Sequence, residues 1–285
     1  MIPAPFEYTR PATIDEAITA LAEGGEDTKV LAGGQSLMPL LRLRLAYPEL
    51  VVDVNRVPEL RGVHDEGDAL VIGAMTTHYD VMNDPLVAQH CGLLVKATAT
   101  VADPAVRHRG TLGGSLAHCD AAGDLPAVVV ALDAEMLVGG PNGQRTIPAG
   151  EFFLDYLTPA MDENEILVSI RVPKLPGDWG FDYQKFHRNA QAWAIVGVAA
   201  AVRRANGSIG EARIGLTNMS SVPVRAESVE SAVAGAEAHW DALREAAGHA
   251  DEGTDPPSDL HGQADYRRHL AQVLTGRALA SAARV

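Results

Sequence analysis

Apolar residues recur along this chain at two spacings, and the changes between them mark the elements. Ile14, Ala17, Ile18 and Leu21 fall on one helical face. Thr13, with Glu16 three residues on, forms a capping box at the start of that face. The stripe stops at Gly24-Gly25, the expected end of the helix. Residues 29–32 then read as a short buried strand, 36–45 as an apolar-basic stretch that turns helical after Pro39, and 50–54 as a second strand. Strands joined in this way predict a small parallel sheet.

Further along, 69–74 predicts a strand, 77–82 a helical turn and 86–99 a helix. Residues 124–132 are apolar on every side behind Asp124, the pattern of a buried helix with a carboxylate at its positive end. The runs 135–139 and 144–147 around Gly140-Pro141-Asn142-Gly143 predict a hairpin, and 165–172 predicts a strand ended by Pro173. Strands and helices in this order lack a strict βαβ rhythm, so the fold class is α+β. The stretch Pro173-Lys174-Leu175-Pro176-Gly177-Asp178 breaks the pattern and divides the chain into a domain over 1–175 and a smaller one over 176–285. In the second, 181–186, 192–203 and 211–216 predict a three-stranded antiparallel sheet with a turn at Asn206-Gly207. Helices over 227–247 and 264–283 flank an acidic loop over 251–262.

Two glycine motifs interrupt these elements: Ala32-Gly33-Gly34-Gln35-Ser36-Leu37 and Gly110-Thr111-Leu112-Gly113-Gly114-Ser115. Paired glycines admit a ligand close to the backbone, and their N–H groups can line a nest for anionic oxygens. Two such motifs in one chain suggest a long ligand with a diphosphate in its middle. Neither motif is a P-loop or a Rossmann fingerprint. No G-x-S-x-G elbow makes Ser36 or Ser115 a nucleophile, so their hydroxyls are read as donors to phosphate. Asp120 and Asp124 follow the second motif and can accept hydrogen bonds from sugar or ribitol hydroxyls. The basic runs Arg42-Leu43-Arg44 and Arg107-His108-Arg109 flank the motifs and would offset phosphate charge or meet an acidic partner. His108, His118 and His187 are read as surface or satisfied interior side chains.

Composition narrows this further. A net charge of −14 argues against nucleic acid and anionic membranes as partners. No apolar run is long enough for a transmembrane segment, and the first residues do not read as a signal peptide, so a cytoplasmic location is expected. The two cysteines, Cys91 and Cys119, lack a metal-site spacing and cannot ligate even one Cys₄ cluster. Cys91 is read as a small core residue. Cys119, just after the second motif, is read as packing near the ligand.

Together these residues resemble the FAD-binding medium subunit of the molybdenum hydroxylases, the xanthine dehydrogenase and aerobic carbon monoxide dehydrogenase group. The likeness runs over nearly the whole chain, through Ala32 to Pro39, Ile72-Gly73-Ala74-Met75-Thr76-Thr77, Arg107 to Ser115, Tyr183-Gln184-Lys185, Gly215-Leu216-Thr217-Asn218 and Asp265-Tyr266-Arg267. The resemblance implies a two-subdomain flavin domain of the vanillyl-alcohol-oxidase (PCMH) type, then a smaller α+β domain. By position, Ala32, Gly33, Gly34, Gln35, Ser36 and Leu37 with Thr111, Gly113, Gly114 and Ser115 would cradle the FAD diphosphate. Asp124 would bond ribityl or ribose hydroxyls, and Lys185 would lie near the flavin ring edge. Trp193 aligns with an aromatic residue, often tyrosine, beside the isoalloxazine; the competing reading is an ordinary core tryptophan.

The chain also departs from the family. Ala192 stands where an acidic residue can occur, and Ser115 where asparagine is frequent. Gln35 replaces a histidine frequent in carbon monoxide enzymes, a lean toward organic substrates. The resemblance further implies an electron-transfer role. Molybdopterin on a large partner subunit oxidises the substrate, two [2Fe–2S] clusters on a small one relay electrons, and FAD here passes them on, in a dimer of heterotrimers. The rival readings are a non-flavin assembly subunit and a stand-alone flavoprotein oxidase.

Overall fold

In the computed structural model, which describes residues 2–285, the chain opens with strand β1 (Glu7–Thr9) and helix α1 (Ile14–Gly24). The capping box forms: Thr13 Oγ1 accepts from the Glu16 N–H at 3.2 Å, and Glu16 Oε2 reaches back to the Ala12 N–H at 2.7 Å. Strand β2 (Thr28–Leu31), helix α2 (Leu37–Leu43) and strand β3 (Leu50–Asp53) follow. The three strands make the expected small parallel sheet in the order β1-β3-β2. Ala17 and Leu21 of α1 pack with Val52 to close one face. Strand β1 carries no alternating pattern, since both its faces are largely exposed, and the sequence therefore does not mark it.

A second unit runs through β4 (Val63–Asp65), β5 (Ala69–Gly73) and helices α3 (His78–Asn83), α4 (Pro85–His90) and α5 (Gly92–Ala99). The single helix expected over 86–99 is broken at Cys91, whose backbone leaves the helical region at φ −140°. After α6 (Pro104–Arg107) come α7 (Leu112–His118) and α8 (Asp124–Ala131). All eight residues of α8 are buried, as the all-round apolar pattern required. Each of its leucine and valine side chains contributes about 1.5–3 kcal/mol of hydrophobic stabilisation. The hairpin β6 (Glu135–Gly140) and β7 (Gly143–Pro148), the turn of helix α9 (Ala149–Phe152), the short pair β8 (Phe153–Asp155) and β9 (Thr158–Pro159), and β10 (Ile166–Pro173) complete the unit. Its five-stranded antiparallel sheet has the order β4-β5-β10-β6-β7.

The last part holds β11 (Trp179–Phe186), β12 (Val196–Ala205), β13 (Ser208–Thr217) and β14 (Val224–Arg225), then α10 (Glu227–Val233), α11 (Trp240–Ala247) and α12 (Ala264–Ala283). The sheet is four-stranded rather than three-stranded, because the two-residue β14 adds an edge against β13. Strand β12 starts at Val196, not at residue 192, since Ala192 turns back onto the Asn189 carbonyl. The helix expected over 227–247 divides into two at Ala234-Gly235, where Gly235 takes φ +80° and its N–H donates to the Ile209 carbonyl. One hydrophobic core joins α5 and α8 to Trp179, Tyr183, Ala199 and Ala201 of the last sheet. Among the described residues, no helix is long and apolar enough to cross a membrane.

Candidate functional site

Four connections converge on one cleft: the segment after β2, the start of α7, the start of α8, and the loop between β11 and β12. The cleft measures about 720 Å³, within the size range of small-molecule sites. Its first wall is the segment Ala32–Leu37, at the carboxyl end of a parallel strand, where open sheets place their ligands. Gly34 adopts φ +76°, which a glycine tolerates without strain. The backbone N–H groups of Gly33, Gly34, Gln35 and Ser36 find no acceptor among the described residues. Gly33 is buried and Gly34 and Ser36 are half-buried, and donors left in this state call for an external partner, while Gln35 between them is exposed. Behind them, Asn55 Nδ2 donates to the Ala32 carbonyl at 2.9 Å and to Asp53 Oδ1 at 2.7 Å, fixing the direction of the segment. Neither Asp53 nor Asn55 was singled out from the sequence, although Asp-x-Asn is an Asx-turn pattern.

The second motif is not a loop. Thr111 caps α7, and Gly113 and Gly114 lie in its first turn. Their amides are already used: Leu112 donates to Thr76 O at 3.0 Å, Gly113 to Ala74 O at 2.9 Å, Gly114 to Thr111 Oγ1 at 3.1 Å and Ser115 to Thr111 O at 3.0 Å. Only the first motif therefore offers a nest of free N–H groups. The second motif's glycines serve close packing instead. A Cβ on Gly113 would lie 2.4 Å from Ala74 Cβ, and one on Gly33 would lie 2.3 Å from the Arg109 carbonyl oxygen. Thr111, Gly113, Gly114 and Ser115 still line the cleft.

Asp124 and Lys185 meet on the third wall. Lys185 Nζ donates to Asp124 Oδ2 at 2.7 Å and to the Thr100 carbonyl at 3.2 Å, while Tyr183 Oη donates to Asp124 Oδ1 at 2.7 Å. Both charged side chains are almost fully buried, at 3% and 4% exposure. Burial pushes the Asp124 carboxyl upward, and the Lys185 ammonium and Tyr183 hydroxyl pull against it. A carboxylate has about four acceptor positions, so two remain for a ligand hydroxyl. Trp193 also lines the cleft, at 52% exposure, which removes the reading of it as a core residue. Its loop is latched at Gln191, whose Nε2 donates to Asp103 Oδ2.

Two histidines belong to the same cleft. His118, read from the sequence as unremarkable, lines it beside Asp120. His78 was not singled out at all. It is 4% exposed, and burial, then the Arg107 charge, lower its pKa to about 4, so the ring is neutral. Its Nδ1 has no partner among the described residues. The flanking arginines do not line the wall: Arg42, Arg44 and Arg109 are exposed, and Arg107 holds the Val101 and Ala102 carbonyls. Both cysteines are buried; burial raises the Cys91 thiol to about 12 and Cys119 to about 11.

Residues 4–175 match the family described as the FAD binding domain in molybdopterin dehydrogenase, and residues 181–282 match the CO dehydrogenase flavoprotein C-terminal domain. The carbon monoxide dehydrogenase medium chain of Hydrogenophaga pseudoflava is 42% identical over 282 residues, covering 99% of this chain and 98% of that one. Subunit alpha of the 6-hydroxypseudooxynicotine dehydrogenase complex of Paenarthrobacter nicotinovorans is 36% identical over 283 residues, 99% of this chain and 96% of that one. The solved structure of carbon monoxide dehydrogenase from Hydrogenophaga pseudoflava lacking the Mo-pyranopterin moiety superposes with a TM-score of 0.96 at 43% identity, over 99% of this chain and 98% of that chain.

Proposed function

This chain belongs to the FAD-binding medium-subunit family of the molybdenum hydroxylases, and from that membership we propose that it carries electrons from the [2Fe–2S] clusters of a small partner subunit, through FAD, to an external acceptor. The observation that carries the reading is the row of unpaired N–H groups from Gly33 to Ser36 at the cleft wall. Four donors in succession, beside a turn of positive φ, form a seat for the FAD diphosphate. Ser115 and Thr111 add hydroxyls from the adjoining start of α7. Asp124 accepts from ribityl or ribose hydroxyls with its remaining lone pairs, and its pairing with Lys185 keeps the buried charge balanced. Lys185 would lie near the flavin ring edge and Trp193 would pack beside the ring, since both line the cleft. When bound, FAD supplies reversible redox chemistry that joins clusters to an acceptor, while the chain binds it, orients it and shields it from water.

The matched ranges 4–175 and 181–282 support a flavin domain over 1–175 and a second domain over 176–285. A large molybdenum-binding partner completes the assembly as a dimer of heterotrimers in the cytoplasm. Two relatives are named for carbon monoxide and for 6-hydroxypseudooxynicotine, a spread that supports the reading in which a large partner subunit, and not this cleft, chooses the substrate. The reading is tested by co-expressing the three subunits, adding substrate anaerobically and following flavin absorbance. Bleaching of the flavin after the clusters are reduced is expected. A flavin-free complex that turns over at the parental rate would instead establish the assembly role, and substrate turnover by the isolated chain would establish the oxidase.

A further inference from the structure

Asn218 and Arg267 sit in two family-like stretches, Gly-Leu-Thr-Asn and Asp-Tyr-Arg, that have so far no role. Both reach the same short piece of backbone from behind the cleft. Asn218 Nδ2 donates to the Ala194 carbonyl at 2.8 Å and to the Ile195 carbonyl at 3.3 Å. Arg267 donates through one terminal nitrogen to the Ile195 carbonyl and through the other to Asp259 Oδ2 at 2.7 Å. The Arg267 side chain is 1% exposed, and its Nε has no partner among the described residues. A buried guanidinium spent on one carbonyl and one carboxylate is a costly fixture unless the backbone it holds must stay in place.

That backbone is the root of the loop that carries Trp193. The loop closes where the Ile195 N–H donates to the Phe186 carbonyl at 2.8 Å, and Ala194 and Ile195 are buried while Trp193 beside them is half exposed. Asn218 links this root to the opposite side as well. Its own N–H donates to the Ala121 carbonyl at 2.8 Å, in the segment between α7 and α8. Asn218 takes φ +61°, a left-handed conformation that asparagine accepts more readily than most residues. The other attachment of the loop, Gln191 to Asp103, is exposed and correspondingly weak.

We infer that Asn218 and Arg267 are positioning residues that fix Ala194 and Ile195 so that Trp193 is presented to the cleft. The consequence for the cofactor rests on the reading that the flavin ring lies beside Trp193. The inference is tested in the full chain labelled with 5-fluorotryptophan, whose fluorine spectrum has one resonance each for Trp179, Trp193 and Trp240, with Trp193 assigned by Trp193→Phe. Asn218→Gly tolerates the left-handed backbone and removes the side-chain amide with its donor; Arg267→Lys keeps the charge and removes the fork. In flavin-free protein, Asn218→Gly shifts or broadens the Trp193 resonance and leaves those of Trp179 and Trp240 in place. Arg267→Lys, where it folds, does the same. An unchanged Trp193 resonance in folded Asn218→Gly overturns the inference. FAD is then titrated, with a several-fold weaker Kd and an altered visible circular dichroism of the flavin expected. A moved Trp193 resonance with unaltered flavin dichroism and Kd supports the anchor and overturns the placement of the ring beside Trp193.

Discussion

Gly33 is where a single methyl group bears most directly on cofactor binding. A Cβ there would stand 2.3 Å from the Arg109 carbonyl oxygen and 2.7 Å from Gly110 Cα, both backbone atoms that no rotamer change can move. Restoring an ordinary contact of 3.4 Å requires the two segments to part by about 1 Å. Overpacking of this kind costs about 1–3 kcal/mol of stability, too little to unfold a domain of ordinary stability. The displacement nevertheless falls on the segment whose four free amides make the phosphate seat. Misaligning two charge-assisted hydrogen bonds at about 1.5–2 kcal/mol each weakens FAD binding by about 3–4 kcal/mol, or two to three orders of magnitude. The assay is titration of flavin-free Gly33→Ala with FAD, followed by flavin fluorescence, with circular dichroism to show that the chain is folded. Gly150→Ala, where a Cβ meets nothing within 4 Å, is the control and binds as the parent does. A folded Gly33→Ala with parental affinity refutes the assignment of this segment to the diphosphate.

Gly113→Val, which drives a side chain into Ala74, also abolishes flavin retention, measured as flavin released per chain on acid precipitation. Asp124→Asn strands the buried Lys185 charge and destabilises the chain by about 3–5 kcal/mol, whereas Asp124→Asn with Lys185→Met recovers most of the loss; a double-variant loss in urea unfolding equal to the sum of the two single-variant losses would show that the pair is not coupled. His78 has a folded pKa of about 4, below its unfolded value, so the unfolded chain binds the extra proton between about pH 4 and 6.5. Its contribution is therefore intact above about pH 6.5 and falls by up to about 3 kcal/mol as pH drops toward 4, a slope that His78→Gln flattens in urea unfolding at a series of pH values. The raised thiols of Cys91 and Cys119 react with Ellman's reagent only on unfolding; prompt labelling of the native chain would contradict their burial.

What the sequence makes legible here is what short spacing encodes. The 135–148 hairpin, the wholly apolar α8 and the capping box of α1 all stand where the pattern puts them, because each depends on residues a few positions apart. The start of α7 does not read as helix, since each glycine costs a helix about 1 kcal/mol relative to alanine. Packing of Gly113 onto Ala74 overrides that local preference, and with it the expectation of a second open nest. The late start of β12 begins with the local turn of Ala192 onto Asn189 and is held from a distance, since Asn218 and Arg267, remote in sequence, capture the carbonyls of Ala194 and Ile195. For the site, the glycine motifs and Asp124 are legible from the residues themselves and Lys185 and Trp193 by resemblance; the glycines of both motifs, Asp124, Lys185 and Trp193 all line the cleft. That Asp124 and Lys185 bind each other across 61 residues is not, because no spacing rule reaches that far. Nor is His78, whose importance lies in burial alone.

The central claim, that the Gly33–Ser36 amides receive the FAD diphosphate while those of α7 are already occupied, is tested most directly by amide hydrogen exchange with and without FAD. Without flavin, the amides of 33–36 exchange fast and those of 112–115 are protected, as their hydrogen bonds require. On saturation with FAD, the account predicts strong new protection at 33–36 and little change at 112–115. Full occupancy by FAD with 33–36 still exchanging freely would contradict it.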